Sequence, residues 1–149
     1  MQLPVEWLPT DGMVLEGSMT ACSTNEFRPG GIGFVLALGA GRGIGIILDC
    51  GHPVWRRTVI ARIFYGSTVT CVELDQTSLG CATVTGVDPS KVHNFRLLIL
   101  ENFFELYIDD FLVQSFVSAE FPLGNLALLA RNSDCTFTNM KMWNVCRRA

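Results

Sequence analysis

Apolar and polar residues alternate along most of this chain in short runs rich in Val, Ile, Leu, Phe and Thr, each bounded by Gly, Pro, Asn or Asp. A period of two places alternate side chains on opposite faces of an extended strand. On this basis strands are predicted at Met13–Cys22, Gly31–Leu38, Gly43–Asp49, Thr58–Tyr65, Thr68–Asp75, Cys81–Thr85, Phe95–Glu101, Phe104–Ile108, Phe111–Val117, Asn125–Ala130 and Cys135–Val145. Between them stand segments with turn chemistry, among them Gly39-Ala40-Gly41-Arg42-Gly43, Asp88-Pro89-Ser90, Asp109-Asp110 and Arg131-Asn132-Ser133-Asp134. No window of helical length keeps an apolar stripe at 3.6-residue spacing without a breaker. Ten to eleven short strands at near-regular spacing imply an all-β antiparallel sandwich of the jelly-roll type. The clearest stretch runs from Phe95 to Val117, where two tight turns join three strands into a meander. There Phe104, Leu106 and Ile108 share one face while Glu105 and Tyr107 take the other.

The length of 149 residues fits one domain, 1–149, with a single core. A hydrophobic fraction of 49% and a charged fraction of 17% set it apart from disordered chains. The net charge of −3 gives no positive field for a phosphate backbone, so no nucleic acid partner is expected. No run approaches the ~18 apolar residues of a membrane span, and Met1 to Trp7 lack the basic and apolar regions of a signal peptide, so no membrane partner is expected. The six cysteines form no Cys-x-x-Cys pair, and Cys22, Cys71 and Cys135 lie within or beside apolar runs, which predicts mostly buried, reduced thiols rather than a disulfide scaffold.

The succession "FRLLILENFFELYIDDFLVQSFV" followed by "GNLALLARNSDCTFTNMKMW" resembles the closing half of concanavalin A-like lectin and glucanase sandwiches. It is most similar to the C-terminal β-sandwich module of glycoside hydrolase family 32, the fructan and sucrose hydrolases. Glu105, Tyr107, Asp109 and Asp110 stand where those modules carry an acidic residue, an aromatic and a turn, although the family turn usually ends in Gly. The likeness covers Val92 to Val145. It implies a module of a larger glycosidase, extracellular if that enzyme is secreted, which binds carbohydrate or buttresses a catalytic domain.

Catalysis finds little support in the residues. Glucanase sandwiches bear Glu-x-Asp-x-Glu on one strand, and Glu105 to Asp109 does not supply it. Glu105 and Asp109 at four residues along a strand would lie about 13 Å apart, too far for a retaining pair. The Gly-rich segment from Gly39 lacks the spacing and the following helix of a dinucleotide site, and reads as a hairpin turn. His52 and His93 have no neighbours at metal-ligand spacing, and the oxygens of Asp109, Asp110 and Asn132 to Asp134 show no recognised calcium spacing, so neither cofactor nor metal is expected. His93, beside Asn94, reads as a strand start.

Recognition remains. A sugar offers hydroxyls at its edge and C–H groups on its faces, which suits an aromatic platform with arginine and carboxylate groups. Asp49, His52, Trp55, Arg56 and Arg57 cluster in one loop region with that chemistry, and Glu105, Tyr107 and Arg131 are further candidates if loop and sheet contribute together. Arg96 and Arg131, on alternating strands, read either as polar groups lining one sheet face or as ordinary solvent-face residues. The function expected is a non-catalytic carbohydrate-binding or accessory module, with fructan the ligand implied by the resemblance. The alternative is a structural sandwich that docks on a catalytic domain or self-associates. A mean hydropathy of +0.34 is compatible with such a buried patch.

Overall fold

The computed structural model describes residues 12–24, 28, 30–50, 56–74 and 82–145. Their eleven strands are β1 (Gly12–Ser23), β2 (Gly30–Gly39), β3 (Arg42–Cys50), β4 (Arg57–Tyr65), β5 (Val69–Glu73), β6 (Ala82–Val84), β7 (His93–Leu100), β8 (Phe103–Ile108), β9 (Phe111–Val117), β10 (Leu126–Arg131) and β11 (Ser133–Val145). They form two antiparallel sheets. One has five strands in the order β11-β1-β7-β8-β9; the other has six, in the order β10-β2-β3-β4-β5, with β6 also paired to β4. The β-sandwich expected from the alternation is the fold observed, and His93 does open β7.

The predicted meander is β7-β8-β9. Asp109 and Asp110 turn between β8 and β9 with φ of 50° and 66°, the left-handed pair of a tight hairpin turn. Aspartate tolerates that region, and Asp109 Oδ1 accepts the Asn94 amide at 3.0 Å. This accounts for an aspartate where glycine is usual. The Gly39 hairpin is tighter than predicted, with Ala40 and Gly41 alone between β2 and β3. β11 begins at Ser133 rather than Cys135, because Asn132 at φ 44° reverses the chain almost at once.

The main core lies between the sheets. Ile32, Phe34 and Leu36 of β2 and Ile44, Ile46 and Leu48 of β3 meet Leu15, Phe95, Leu97, Ile99, Phe104 and Leu106 of the five-stranded sheet. Phe34, Phe95 and Phe137 join the layers as a trio with centroids 5.0–6.1 Å apart, the arrangement aromatic quadrupoles favour.

A second apolar cluster lies on the far face of the six-stranded sheet. Val35, Ile47, Val59, Ala61 and Ile63 are buried there, flanked by Cys71 from β5 and by Ala127 and Leu129 from β10. Those flanking residues come from opposite edges of the sheet. Arg131 of β10 and Glu73 of β5 also approach to 3.5 Å. In a flat sheet four strand spacings would separate those edges by about 19 Å, further than the two side chains can span. The sheet is therefore curled into a trough about the second cluster. Glycines let its strands come close: a Cβ on Gly33 would fall 1.9 Å from the Ile46 carbonyl oxygen, and one on Gly31 2.5 Å from Ile47 Cγ2.

The thiols are more varied than expected. Among the described residues Cys22, Cys50, Cys71 and Cys135 are free, and Cys50 is buried, but Cys22 is exposed because it stands near the end of β1, beyond the core. Cys81 and Cys146 lie outside the described residues.

Candidate functional site

The trough places Asp49 at the end of β3, Arg57 at the start of β4, Glu73 at the end of β5 and Arg131 at the end of β10. These four close a ring of alternating charge. Arg57 Nε donates to Asp49 Oδ2 at 2.6 Å and its Nη2 to Glu73 Oε2 at 3.1 Å. Arg131 Nη2 donates to Asp49 Oδ1 at 3.1 Å, and its Nη1 lies 3.5 Å from Glu73 Oε1. Asp49 is the buried centre, its side chain 3% exposed, with Arg57 and Arg131 at 17% and 16%. Two positive and two negative groups leave the ring neutral, and each carboxylate splits its oxygens between two guanidinium forks. Burial pulls the Arg57 pKa down, but the hydrogen bond and charge of Asp49, then those of Glu73, outweigh it and raise it.

Arg131 belongs to the ring and to a groove of about 1220 Å³ beside it. The groove follows β10 from Asn125 to Arg131, with Val35, Ile63 and Leu129 on its floor. Tyr65, 45% exposed, also lines it and presents an aromatic ring. Burial raises the Tyr65 pKa, so the phenol stays protonated and able to donate at neutral pH. Cys71 contacts Arg131 Nη1 at 3.6 Å; burial raises its pKa, and the arginine only partly offsets that.

The other sequence candidates are dispersed. Arg56 points elsewhere, 55% exposed and 3.8 Å from Asp88. His52 and Trp55 lie outside the described residues. Glu105 and Tyr107 do not join Arg131: they occupy β8 of the five-stranded sheet, on the face opposite Phe104, Leu106 and Ile108. Tyr107 donates to Glu105 at 2.8 Å, a bond that raises its pKa, and Arg96 stacks 5.4 Å above its ring. Arg96 itself binds Glu16 and Asp110. Arg96 and Arg131 thus serve different sheets, against the reading that they line one shared face, because the chain changes layer between β9 and β10.

Glu73 escaped the sequence reading. The signal was the alternation Val69, Cys71, Glu73, which puts a carboxylate on the same face as an apolar pair. Among the described residues no group of three or more His, Cys, Asp or Glu is arranged to hold a metal ion. Asp109 is engaged by His93 and the Asn94 amide, and Asp110 by Arg96.

No family model matches the sequence, and neither does any curated protein. Solved structures do match in fold. Sheep galectin-11, solved with glycerol, is 14% identical, with 96% of each chain covered and a TM-score of 0.61. Carbohydrate-binding module CBM66 from Bacillus subtilis is 17% identical over 89% of this chain and 74% of its own, with a TM-score of 0.62. The carbohydrate recognition domain of Emp46p is 18% identical over 95% of this chain and 75% of its own, at 0.57. At such identities the likeness is one of fold: the chain shares the β-sandwich of these structures.

Proposed function

We propose that the chain is a non-catalytic carbohydrate-binding module whose ligand lies in the trough of the six-stranded sheet. The observation that carries this reading is the ring of Asp49, Arg57, Glu73 and Arg131 opening on a groove that also holds Tyr65. Arg57 and Arg131 keep part of their surface in solvent and have fixed, planar donors. They can donate to the hydroxyls of one sugar unit, while Tyr65, at the other end of β4 and about 26 Å along the strand from Arg57, offers its face to the C–H groups of a unit further along the same oligosaccharide. Two of the fold neighbours are a carbohydrate-binding module and a carbohydrate recognition domain, which supports the reading by analogy of fold alone.

The same ring argues against hydrolysis. A glycosidase turns two carboxyl groups onto one glycosidic bond, whereas Asp49 and Glu73 are each engaged by two arginines. Attachment to a glycoside hydrolase and a preference for fructan follow from the sequence resemblance, and levan and inulin are the first ligands to try. Affinity electrophoresis against levan, inulin and a set of glucans checks the proposal. Retardation by at least one polysaccharide is expected, and mobility unchanged by all of them would remove it.

One observation favours a second reading, an interaction domain. Phe111, Leu112 and Val117 on β9 and Phe121 just after it are 75%, 53%, 62% and 54% exposed. Sedimentation velocity separates the two: a monomer that binds sugar supports the first, and an oligomer indifferent to sugar the second.

A further inference from the structure

The two sheets do not end together. Past β9 the core-facing side of the six-stranded sheet borders a cleft of about 340 Å³, between that sheet and the segment that follows β9. Such a volume falls in the range of small-molecule sites, roughly 300–1,000 Å³. Its walls are apolar: Leu38, Ile44, Phe64, Leu74 and Phe116. Phe64 on this wall is 39% exposed.

Two arginines stand on this wall, and they differ. Arg42 makes a bidentate pair with Glu120 at 2.9 and 3.0 Å, strapping β3 to the segment after β9 and cancelling its own charge. Arg62 stands opposite Ile44 on one side and Val72 on the other. Among the described residues it has no hydrogen bond or ion pair. The cleft therefore offers an apolar floor, one uncompensated planar cation and few other donors. That combination disfavours a polyhydroxylated ring and a cation alike, since neither would use the floor and the charge together.

We propose that this cleft binds a small amphipathic carboxylate, its aliphatic or aromatic body on Ile44, Phe64, Leu74 and Phe116 and its carboxylate on the Arg62 guanidinium. The site lies on the other face of the sheet from the trough and does not depend on the carbohydrate reading.

The test titrates decanoate, decan-1-ol and decyltrimethylammonium into the whole chain by calorimetry. Decanoate is expected to bind saturably and about three- to five-fold more tightly than decanol, the preference a half-exposed ion pair supports, and the cationic amphiphile most weakly. Arg62→Gln should erase the difference between acid and alcohol and leave decanol affinity as it was. Ala119→Phe, on the cleft's outer wall, should block both ligands while thermal unfolding shows the fold intact. Absence of saturable decanoate binding, equal affinity for acid and alcohol in the unmodified chain, or indifference to either substitution would overturn the proposal.

Discussion

Replacing Asp49 by alanine removes the acceptor at the centre of the ring. Two charge-assisted hydrogen bonds, to Arg57 and Arg131, are lost, and two guanidinium groups only 17% and 16% exposed are left to share Glu73. Breaking a buried pair costs about 3–5 kcal/mol. Glu73 remains at 26% exposure and the arginines keep some water, which places the loss at the low end, about 3 kcal/mol. In a domain of this size that lowers Tm by about 6–12 °C. Urea unfolding followed by far-ultraviolet circular dichroism gives the free energy, and an unchanged m-value shows that the two end states are the same. Asp49→Asn keeps an acceptor without the charge and should fall between. A loss below about 1 kcal/mol for Asp49→Ala is what exposed pairs give. That result would refute the reasoning that this ring clamps the two edges of a curled sheet.

Other outcomes follow from the same geometry. Gly33→Ala should cost about 1–3 kcal/mol or more, since its Cβ meets the Ile46 carbonyl, whereas Gly86→Ala, with open space around it, should be near neutral; both are read by denaturant unfolding. Among the described thiols, peptide-resolved alkylation at pH 8 should label exposed Cys22 well before Cys135, because burial, with Cys50 nearby, pushes the Cys135 thiol up to about 11. Partial burial raises the Asp109 carboxyl, but hydrogen bonds from His93 and the Asn94 amide prevail and hold it below its usual value of 3.8. Its contribution to stability is then complete above that value and fades as pH falls through the lowered folded pKa. Asp109→Asn should flatten the acid limb of stability measured against pH below about 4.

Much of the fold was legible because alternation is a local property. The strand positions, the meander and the inward set Phe104, Leu106, Ile108 all follow from a period of two. Even the Asp109-Asp110 turn was readable, as a pair tolerant of positive φ. What alternation does not encode is which sheet a strand joins. Glu105 and Arg131 look equivalent in sequence, each a polar residue on an alternating strand, yet they end on opposite sides of the sandwich. Asp49, Arg57 and Arg131 were singled out for their chemistry, and the structure brings them together. Glu73 was not, because its place in the ring depends on the curl of the whole sheet. That curl brings residues from opposite edges of the sheet together, a non-local effect.

The central claim, that the trough is a carbohydrate site, is tested most directly by watching the arginine side chains. In a nitrogen-15 nuclear magnetic resonance titration with the polysaccharide fragment that binds best, the Nε–H signals of Arg57 and Arg131 should move saturably, with Arg62 and Arg96 unmoved. Arg131→Lys, which keeps the charge but loses the planar fork, should weaken binding about ten-fold. Binding that shifts neither ring arginine, or that survives Arg131→Lys unchanged, would contradict the assignment.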